Sequence, residues 1–257
     1  MYFNDIHILY YVVIGTIGLI VGNFINWCNY RLPEYKKVFT LEFFSKEEKR
    51  NVSNNYFYIL LNSFMYVVIL YICGWSNDLL ANIKLFEYLI LTPMLISAFA
   101  IDLKLQIIPN RLNLTMFEIG LLFTFLYSFI NISISINRLL GMLVGGGIFL
   151  AITIIGGFIA GKEAMGFGDV KLMGALGAFF GISNIIIITL ISFLIGAIIS
   201  IFILIINAIK KNKKISEDGY IPFGPFIVIA TFITMTIPSS TLIYALLKIF
   251  TLGMYIG

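Results

Sequence analysis

Two aspartates in this sequence stand at the ends of long apolar runs, where an ionisable side chain is costly. Asp102 follows the run that closes with Ile101, and Asp169 follows Gly-Phe-Gly just before another apolar run begins. Two carboxyl groups within a few ångströms of each other cannot easily ionise together, so one keeps its proton while the other stays charged. Such a pair can hydrolyse a peptide bond without a metal. The carboxylate takes a proton from water while the protonated carboxyl polarises the scissile carbonyl.

The composition determines what kind of fold must position these acids. Hydrophobic residues make up 60% of the 257 residues and charged residues 12%, and the mean hydropathy is +1.00. So few polar residues cannot cover the surface of a water-soluble globule. We therefore predict an all-α, polytopic integral membrane protein in which residues 1–257 form a single helical membrane domain. About eight spans are expected, near 8–27, 56–73, 85–101, 114–130, 139–160, 172–184, 186–208 and 222–247.

The basic residues indicate how these spans are oriented. No Lys or Arg precedes the first span, and Arg31, Lys36 and Lys37 follow it, so the N-terminus is predicted to lie outside. Alternation then places segments 28–55, 102–113, 161–171 and 209–221 in the cytosol, and these segments hold nearly all the Lys and Arg. Those on the other side are Lys84, Arg138 and Lys248.

This topology brings the two aspartates to the same side of the membrane. Asp102 closes the third predicted span and Asp169 opens the sixth, so both should reach the cytosolic edge and could meet there. The plainer alternative is that each merely marks the end of a membrane helix.

The residues that flank the aspartates suit a catalytic pair. Gly166 and Gly168 remove side-chain bulk beside Asp169, and Pro109 ends the Asp102 segment with a fixed turn. Lys104 and Lys171 each lie two residues beyond an aspartate and could bias which carboxyl is ionised. Their ordinary explanation is that they anchor the helix ends at the lipid headgroups.

Four segments of the sequence resemble the bacterial type IV prepilin peptidases, which are GxGD-type aspartic proteases of peptidase family A24. Ala100–Asn110 carries an aspartate followed six to seven residues later by Ile-Pro, and Gly166–Met173 carries Gly-x-Gly-Asp. Two further segments are similar to the Gly-Ser-Phe-Leu-Asn…Tyr-Arg-Leu-Pro and Ile-Pro-Phe-Gly-Pro stretches of the family. They are Gly22–Pro33 and Ile221–Phe226.

The resemblance implies a function and a set of site residues. Prepilin peptidases remove the basic leader from type IV prepilins or pseudopilins at the cytosolic face of the bacterial cytoplasmic membrane, usually after a glycine. Asp102 and Asp169 would then be the catalytic residues, and the matching blocks suggest further substrate-binding residues, namely Asn26, Arg31, Pro222, Gly224 and Pro225. The expected partners are a prepilin and the lipid bilayer, with no nucleic acid, and the oligomeric state stays open.

The sequence departs from the family in its first cytosolic loop. Many relatives carry two Cys-x-x-Cys pairs there that look like a zinc site, and they methylate the trimmed N-terminus with S-adenosylmethionine. This chain has only Cys28 and Cys73, His7 is its only histidine, and the loop 28–55 is short. We therefore predict no metal and no cofactor for proteolysis, with S-adenosylmethionine needed only if methyl transfer is retained.

Two other classes of protein are compared with this interpretation. A proton-coupled membrane transporter could also hold two acids, although near the bilayer midplane and often with related halves. A structural subunit of a secretion machine would give no reason for Gly-x-Gly-Asp beside a second acid.

Glycines four residues apart predict close helix packing at Gly18-Gly22, Gly141-Gly145, Gly157-Gly161 and Gly177-Gly181.

Overall fold

The structure is a computed structural model that describes residues 2–3, 6–38, 40–45, 52, 55–161, 165–210 and 221–251. Parts of the predicted cytosolic segments 28–55, 161–171 and 209–221 therefore lie outside the described residues. The described part forms a two-stranded antiparallel ladder, β1 (Tyr2–Phe3) with β2 (Ile6–His7), a 3₁₀ turn at Leu41–Phe44, and a set of α-helices. The helices are α1 (Ile8–Arg31), α2 (Tyr56–Cys73), α3 (Leu79–Leu105), α4 (Asn110–Ser128), α5 (Ile132–Ala160), α6 (Phe167–Lys210), α7 (Gly224–Thr236) and α8 (Ser239–Phe250).

The prediction of an all-α, multi-pass membrane protein is confirmed. Within the described residues, five helices (α1, α2, α3, α5 and α6) are long and apolar enough to cross a bilayer, and α7 and α8 are shorter apolar helices. Many large apolar side chains on these helices are exposed, as expected for surfaces that face lipid.

Helix α6 accounts for two of the predicted spans because the chain reverses direction inside it. Gly181 has a φ of 72° and a ψ of −179°, which are not helical values. Gly145 of α5 lies beside Met173 before this point and beside Ile185 after it. The two arms of α6 therefore run in opposite directions along α5, and the turn falls at Gly181 rather than near residue 185.

The last predicted span is interrupted rather than continuous. Helix α7 ends at Thr236 and α8 begins at Ser239, with Pro238 between them as the N-cap of α8. Proline has no N–H to donate and favours an extended residue before it, so a single helix over 222–247 cannot pass this point unbroken.

Three of the four glycine pairs pack as their spacing predicts. A Cβ at Gly18 or Gly22 would lie 2.7 Å from the backbone of α2, and a Cβ at Gly141 would lie 2.6 Å from Gly181. Helices α1 and α2, and α5 and α6, can therefore approach closely through glycine. Gly161 behaves differently, because it ends α5 in the left-handed conformation, and a Cβ there would meet none of the described residues within 4 Å.

A buried ion pair joins three helices at the end opposite Asp102. Arg138 of α5 donates to both carboxylate oxygens of Glu87 of α3, at 2.6 and 2.9 Å, and Tyr127 of α4 donates to the same carboxylate at 3.3 Å. The Arg138 guanidinium also lies 3.9 Å from the centre of the Tyr127 ring. Glu87 is completely buried, so this cluster must assemble together with the bundle.

Candidate active site

Asp102 and Asp169 line a single cavity of about 350 Å³, which we call the dyad cavity. Asp102 lies in the last turn of α3 and Asp169 in the first turn of α6. The carboxyl groups are close enough to interact electrostatically, and both residues are buried. The arrangement therefore brings together two acids that are 67 positions apart in the chain, from 102 to 169.

The backbone at the start of α7 holds the carboxyl group of Asp102. The Gly224 N–H donates to Asp102 Oδ2 at 3.0 Å, and a Cβ at Gly224 would lie 2.5 Å from that oxygen. Only glycine leaves room for this approach. Phe223, just before it, packs against Phe149 and Phe193 with ring centroids 5.9 and 5.0 Å away, which anchors the start of α7 to α5 and α6.

The glycines before Asp169 lie against the start of α4. The Asp169 N–H donates to the Gly166 carbonyl at 3.1 Å, which closes the first turn of α6. Asn113 donates to the Gly168 carbonyl at 3.0 Å, and a Cβ at Gly168 would lie 3.3 Å from Ile108. Gly166 and Gly168 both line the dyad cavity, as does Pro109, the N-cap of α4.

The two lysines near the aspartates occupy different places. Lys171 lines the dyad cavity, and its Nζ donates to Asn110 Oδ1 at 2.7 Å, so it links the starts of α4 and α6. Lys104 lies on the other side of α3, where it lines a second cavity of about 580 Å³. Of these two lysines, the structure therefore places only Lys171 beside both acids.

The N-terminal block borders the second cavity rather than the dyad cavity. Asn26, Asn29, Tyr30 and Pro33 line it, so we call it the Asn29 cavity. Asn26 is buried and donates to the Asn55 carbonyl at 3.4 Å.

Arg31 lies in the same block but is engaged with protein groups. It is 6% exposed, its Nη1 is 2.6 Å from Glu42, and its guanidinium stacks 4.7 Å from the centre of the Trp27 ring. The contact with Glu42 holds the 3₁₀ turn against α1. Arg31 lines neither cavity, and its role in substrate binding stays a prediction.

The C-terminal block reaches the dyad cavity through two of its residues. Gly224 contacts Asp102 directly, and Phe223 lines the cavity. Pro222 is half-buried before them, and Pro225 is buried in the first turn of α7, where a proline suits the helix start. Neither proline lines the cavity.

Several residues of the dyad cavity were not predicted as site residues, and two of them have an unusual backbone conformation. Tyr35 and Gln106 line the cavity, with φ values of 56° and 55°. Nothing in the local sequence marks a tyrosine or glutamine in a left-handed conformation, because glycine is the usual residue there.

The profile of the type IV leader peptidase family matches residues 89–201, which include Asp102 and Asp169. We call residues 89–201 the leader peptidase segment. The leader peptidase segment runs from α3 through the first arm of α6 into the second, so it supplies both acids of the dyad.

Similar proteins extend the comparison beyond this segment. The chain is 34% identical over 148 residues to the prepilin leader peptidase/N-methyltransferase of Aeromonas hydrophila, covering 57% of this chain and 48% of the relative. It is 29% identical to that of Legionella pneumophila, covering 88% of this chain and 90% of the relative. It is 28% identical to that of Neisseria gonorrhoeae, covering 69% of this chain and 55% of the relative. The chain thus spans about half the length of the Aeromonas relatives it matches. No solved structure matches the chain.

Replacing Gly224 with alanine tests the support that α7 gives to the dyad. We expect Gly224→Ala to lower kcat for the peptide hydrolysis predicted from the sequence at least about tenfold, because the added methyl group would push the Asp102 carboxyl out of position. Gly174→Ala is the matched control, since its Cβ would meet only ordinary contacts, the nearest at 3.8 Å. Equal activity of the two variants would contradict this role.

Proposed function

We propose that this protein is a membrane-embedded aspartic endopeptidase that removes the leader peptide from type IV prepilins or pseudopilins. The observation that carries the proposal is the single cavity lined by both Asp102 and Asp169, within a segment that matches the profile of the leader peptidase family. The alternative of a proton-coupled transporter has no support from the related proteins, whose names describe prepilin processing.

The reaction needs one water molecule and one shared proton. The charged carboxylate takes a proton from the water as its oxygen attacks the scissile carbonyl carbon, and the protonated partner donates to the carbonyl oxygen. When the C–N bond breaks, the leaving nitrogen takes a proton back from the dyad. The two products are the leader, with a new carboxylate, and the mature chain, with a new amine.

The lining of the dyad cavity suits a bond next to an apolar stem. Phe167 and Ile107 are 59% and 48% exposed at its edge, where an apolar segment can follow the protein surface into lipid. Gly166 and Gly168 leave the other wall without side-chain bulk. A small residue before the scissile bond would fit this arrangement.

We further propose that the dyad faces the cytosol from a bacterial cytoplasmic membrane. Lys36, Arg111 and Lys171 lie at the dyad end, where Arg111 donates to the Lys36 carbonyl at 3.1 Å. Lys84 and Arg138 lie at the opposite end with Tyr88 and Glu87. More positive charge at the dyad end supports a cytosolic site.

The experiment is incubation of the purified protein with a prepilin, followed by mass spectrometry of the product. A shortened chain that begins at the residue after the leader is the expected result. An unchanged mass with every prepilin and pseudopilin of the native host would overturn the proposal. The same spectrum reports an added methyl group.

The Asn29 cavity supports a second candidate function, N-methyl transfer with S-adenosylmethionine. The Asn29 side chain has a buried amide nitrogen and oxygen without a hydrogen-bond partner among the described residues, so the cavity holds polar groups that a ligand could satisfy. Glu34 and Lys104 supply opposite charges for an amino-acid end, and Tyr30 and Tyr58 supply rings for a base. When bound, the donor supplies an electrophilic methyl group.

Binding of S-adenosylmethionine tests this second proposal directly. Isothermal titration of the detergent-solubilised protein should detect binding, and Asn29→Ala should weaken it at least about tenfold, because the amide would lose both polar contacts. Asn23→Ala is the matched control on the same helix, since Asn23 is exposed and outside the cavity. Equal affinity in both variants would exclude the Asn29 cavity as the donor site.

A further inference from the structure

Helices α1 and α3, which border the dyad cavity, are each followed by a residue in the left-handed conformation. Glycine usually occupies such a position, but neither residue is glycine. After α1, the Lys36 N–H donates to the Arg31 carbonyl at 3.1 Å and the Tyr35 N–H to the Leu32 carbonyl at 3.2 Å. These two bonds form a Schellman motif with Tyr35 in the left-handed position. After α3, Gln106 occupies the corresponding position, and its N–H donates to the Asp102 carbonyl at 2.9 Å.

The same chain uses glycine at a helix end that does not line the dyad cavity. Gly161 ends α5 with a φ of 65° and donates to the Gly157 carbonyl at 3.0 Å. A side chain in the left-handed region is strained because its Cβ approaches the backbone, and a tyrosine is an unusual residue to find there. Among the described residues, Tyr35 and Gln106 are the non-glycine residues with positive φ, and both line the dyad cavity.

Tyr35 and Gln106 also form the boundary between the two cavities. Glu34 and Leu105 line the Asn29 cavity, whereas the next residues along the chain, Tyr35 and Gln106, line the dyad cavity. Tyr35 is 65% exposed, so its ring is available to a ligand. A peptide whose scissile bond lies between Asp102 and Asp169 would occupy the cavity that Tyr35 and Gln106 line.

We propose that Tyr35 and Gln106 are substrate-positioning residues, kept at two glycine positions because their side chains contact the peptide beside the scissile bond. The Gln106 amide can donate to and accept from a peptide main chain, and the Tyr35 ring can pack against the neighbouring side chain. Strained residues persist at sites where their geometry serves function. The inference rests on the proposed peptidase function.

The test uses glycine as the replacement, because glycine relieves the strain and removes only the side chain. Tyr35→Gly and Gln106→Gly should each unfold at the same temperature as the parent protein or up to about 4 °C higher. Each should raise KM for a prepilin at least fivefold with a smaller change in kcat. Tyr35→Phe, which keeps the ring, should restore most of the affinity.

Each other outcome contradicts the proposal in a distinct way. Unchanged KM in both glycine variants would show that neither side chain contacts the peptide. Lower stability together with lower activity would show a structural role instead.

A binding measurement separates this inference from the proposed function. A photo-crosslinking amino acid at position 35 of the Asp169→Asn variant should capture a prepilin peptide, whereas the same group at Phe158, which is 92% exposed on α5, should not. Capture at position 35 without cleavage by the parent protein would refute the proposed peptidase activity but support the contact between residue 35 and the peptide. Cleavage by the parent without capture at position 35 would refute the contact alone.

Discussion

Replacing either acid of the dyad with asparagine should abolish prepilin cleavage. Asp102→Asn or Asp169→Asn keeps the size of the side chain but removes the carboxyl group that must take or give a proton. General acid–base catalysis contributes about 10²–10⁴-fold, so we expect kcat to fall at least about 10³-fold in each variant. Gel shift of a prepilin, with mass spectrometry of the product, measures the loss.

The control and the double variant make this result specific. Asp78→Asn changes an exposed aspartate that caps α3 at the far end, and asparagine caps a helix equally well. It should keep full activity. The two dyad substitutions combined should be no worse than either alone, because the acids act as one unit. Normal cleavage by either single variant would refute the shared-proton mechanism.

Breaking the buried ion pair should have the largest effect on stability. Glu87→Ala leaves the Arg138 guanidinium buried at 8% exposure without its carboxylate partner. Removal of one partner of a buried pair costs about 3–5 kcal/mol, because the remaining charge stays desolvated. We expect the free energy of unfolding in mixed micelles to fall by about that amount.

Two further variants separate the ion pair from ordinary surface charge. Glu87→Leu combined with Arg138→Met should recover much of the loss, since apolar residues can replace a buried pair. Glu34→Gln removes the partner of Lys36 in a pair that is nearly half exposed, and should cost at most about 1 kcal/mol. A loss from Glu87→Ala no larger than that from Glu34→Gln would contradict a stabilising role for the buried pair.

The fold class and the choice of acids were predictable for related reasons. An apolar composition excludes a soluble globule, and lipid allows only structures that satisfy their own backbone hydrogen bonds. In such a chain, Asp102 and Asp169 are conspicuous because a carboxyl group beside an apolar run is costly. The same argument applies to Glu87, inside the predicted span 85–101, and would have found it.

Other features could not be predicted because they depend on contacts between distant residues. The reversal at Gly181 is visible only when α5 lies beside both arms of α6, since the apolar pattern continues through the turn. Likewise, Arg138 was expected to be an outer basic residue, and only the packing of α3 against α5 shows its carboxylate partner.

Hydropathy and charge were enough to predict the membrane environment, the helical class and the two acids, because these properties act along the chain and need no tertiary partner. The groups that surround those acids, in contrast, depend on how the helices pack. The Gly224 N–H reaches Asp102 from 122 positions away, and Tyr35 joins the cavity from the end of α1. Such neighbours are chosen by helix packing, in which close approach depends on the shapes of both surfaces and not on the local pattern of either.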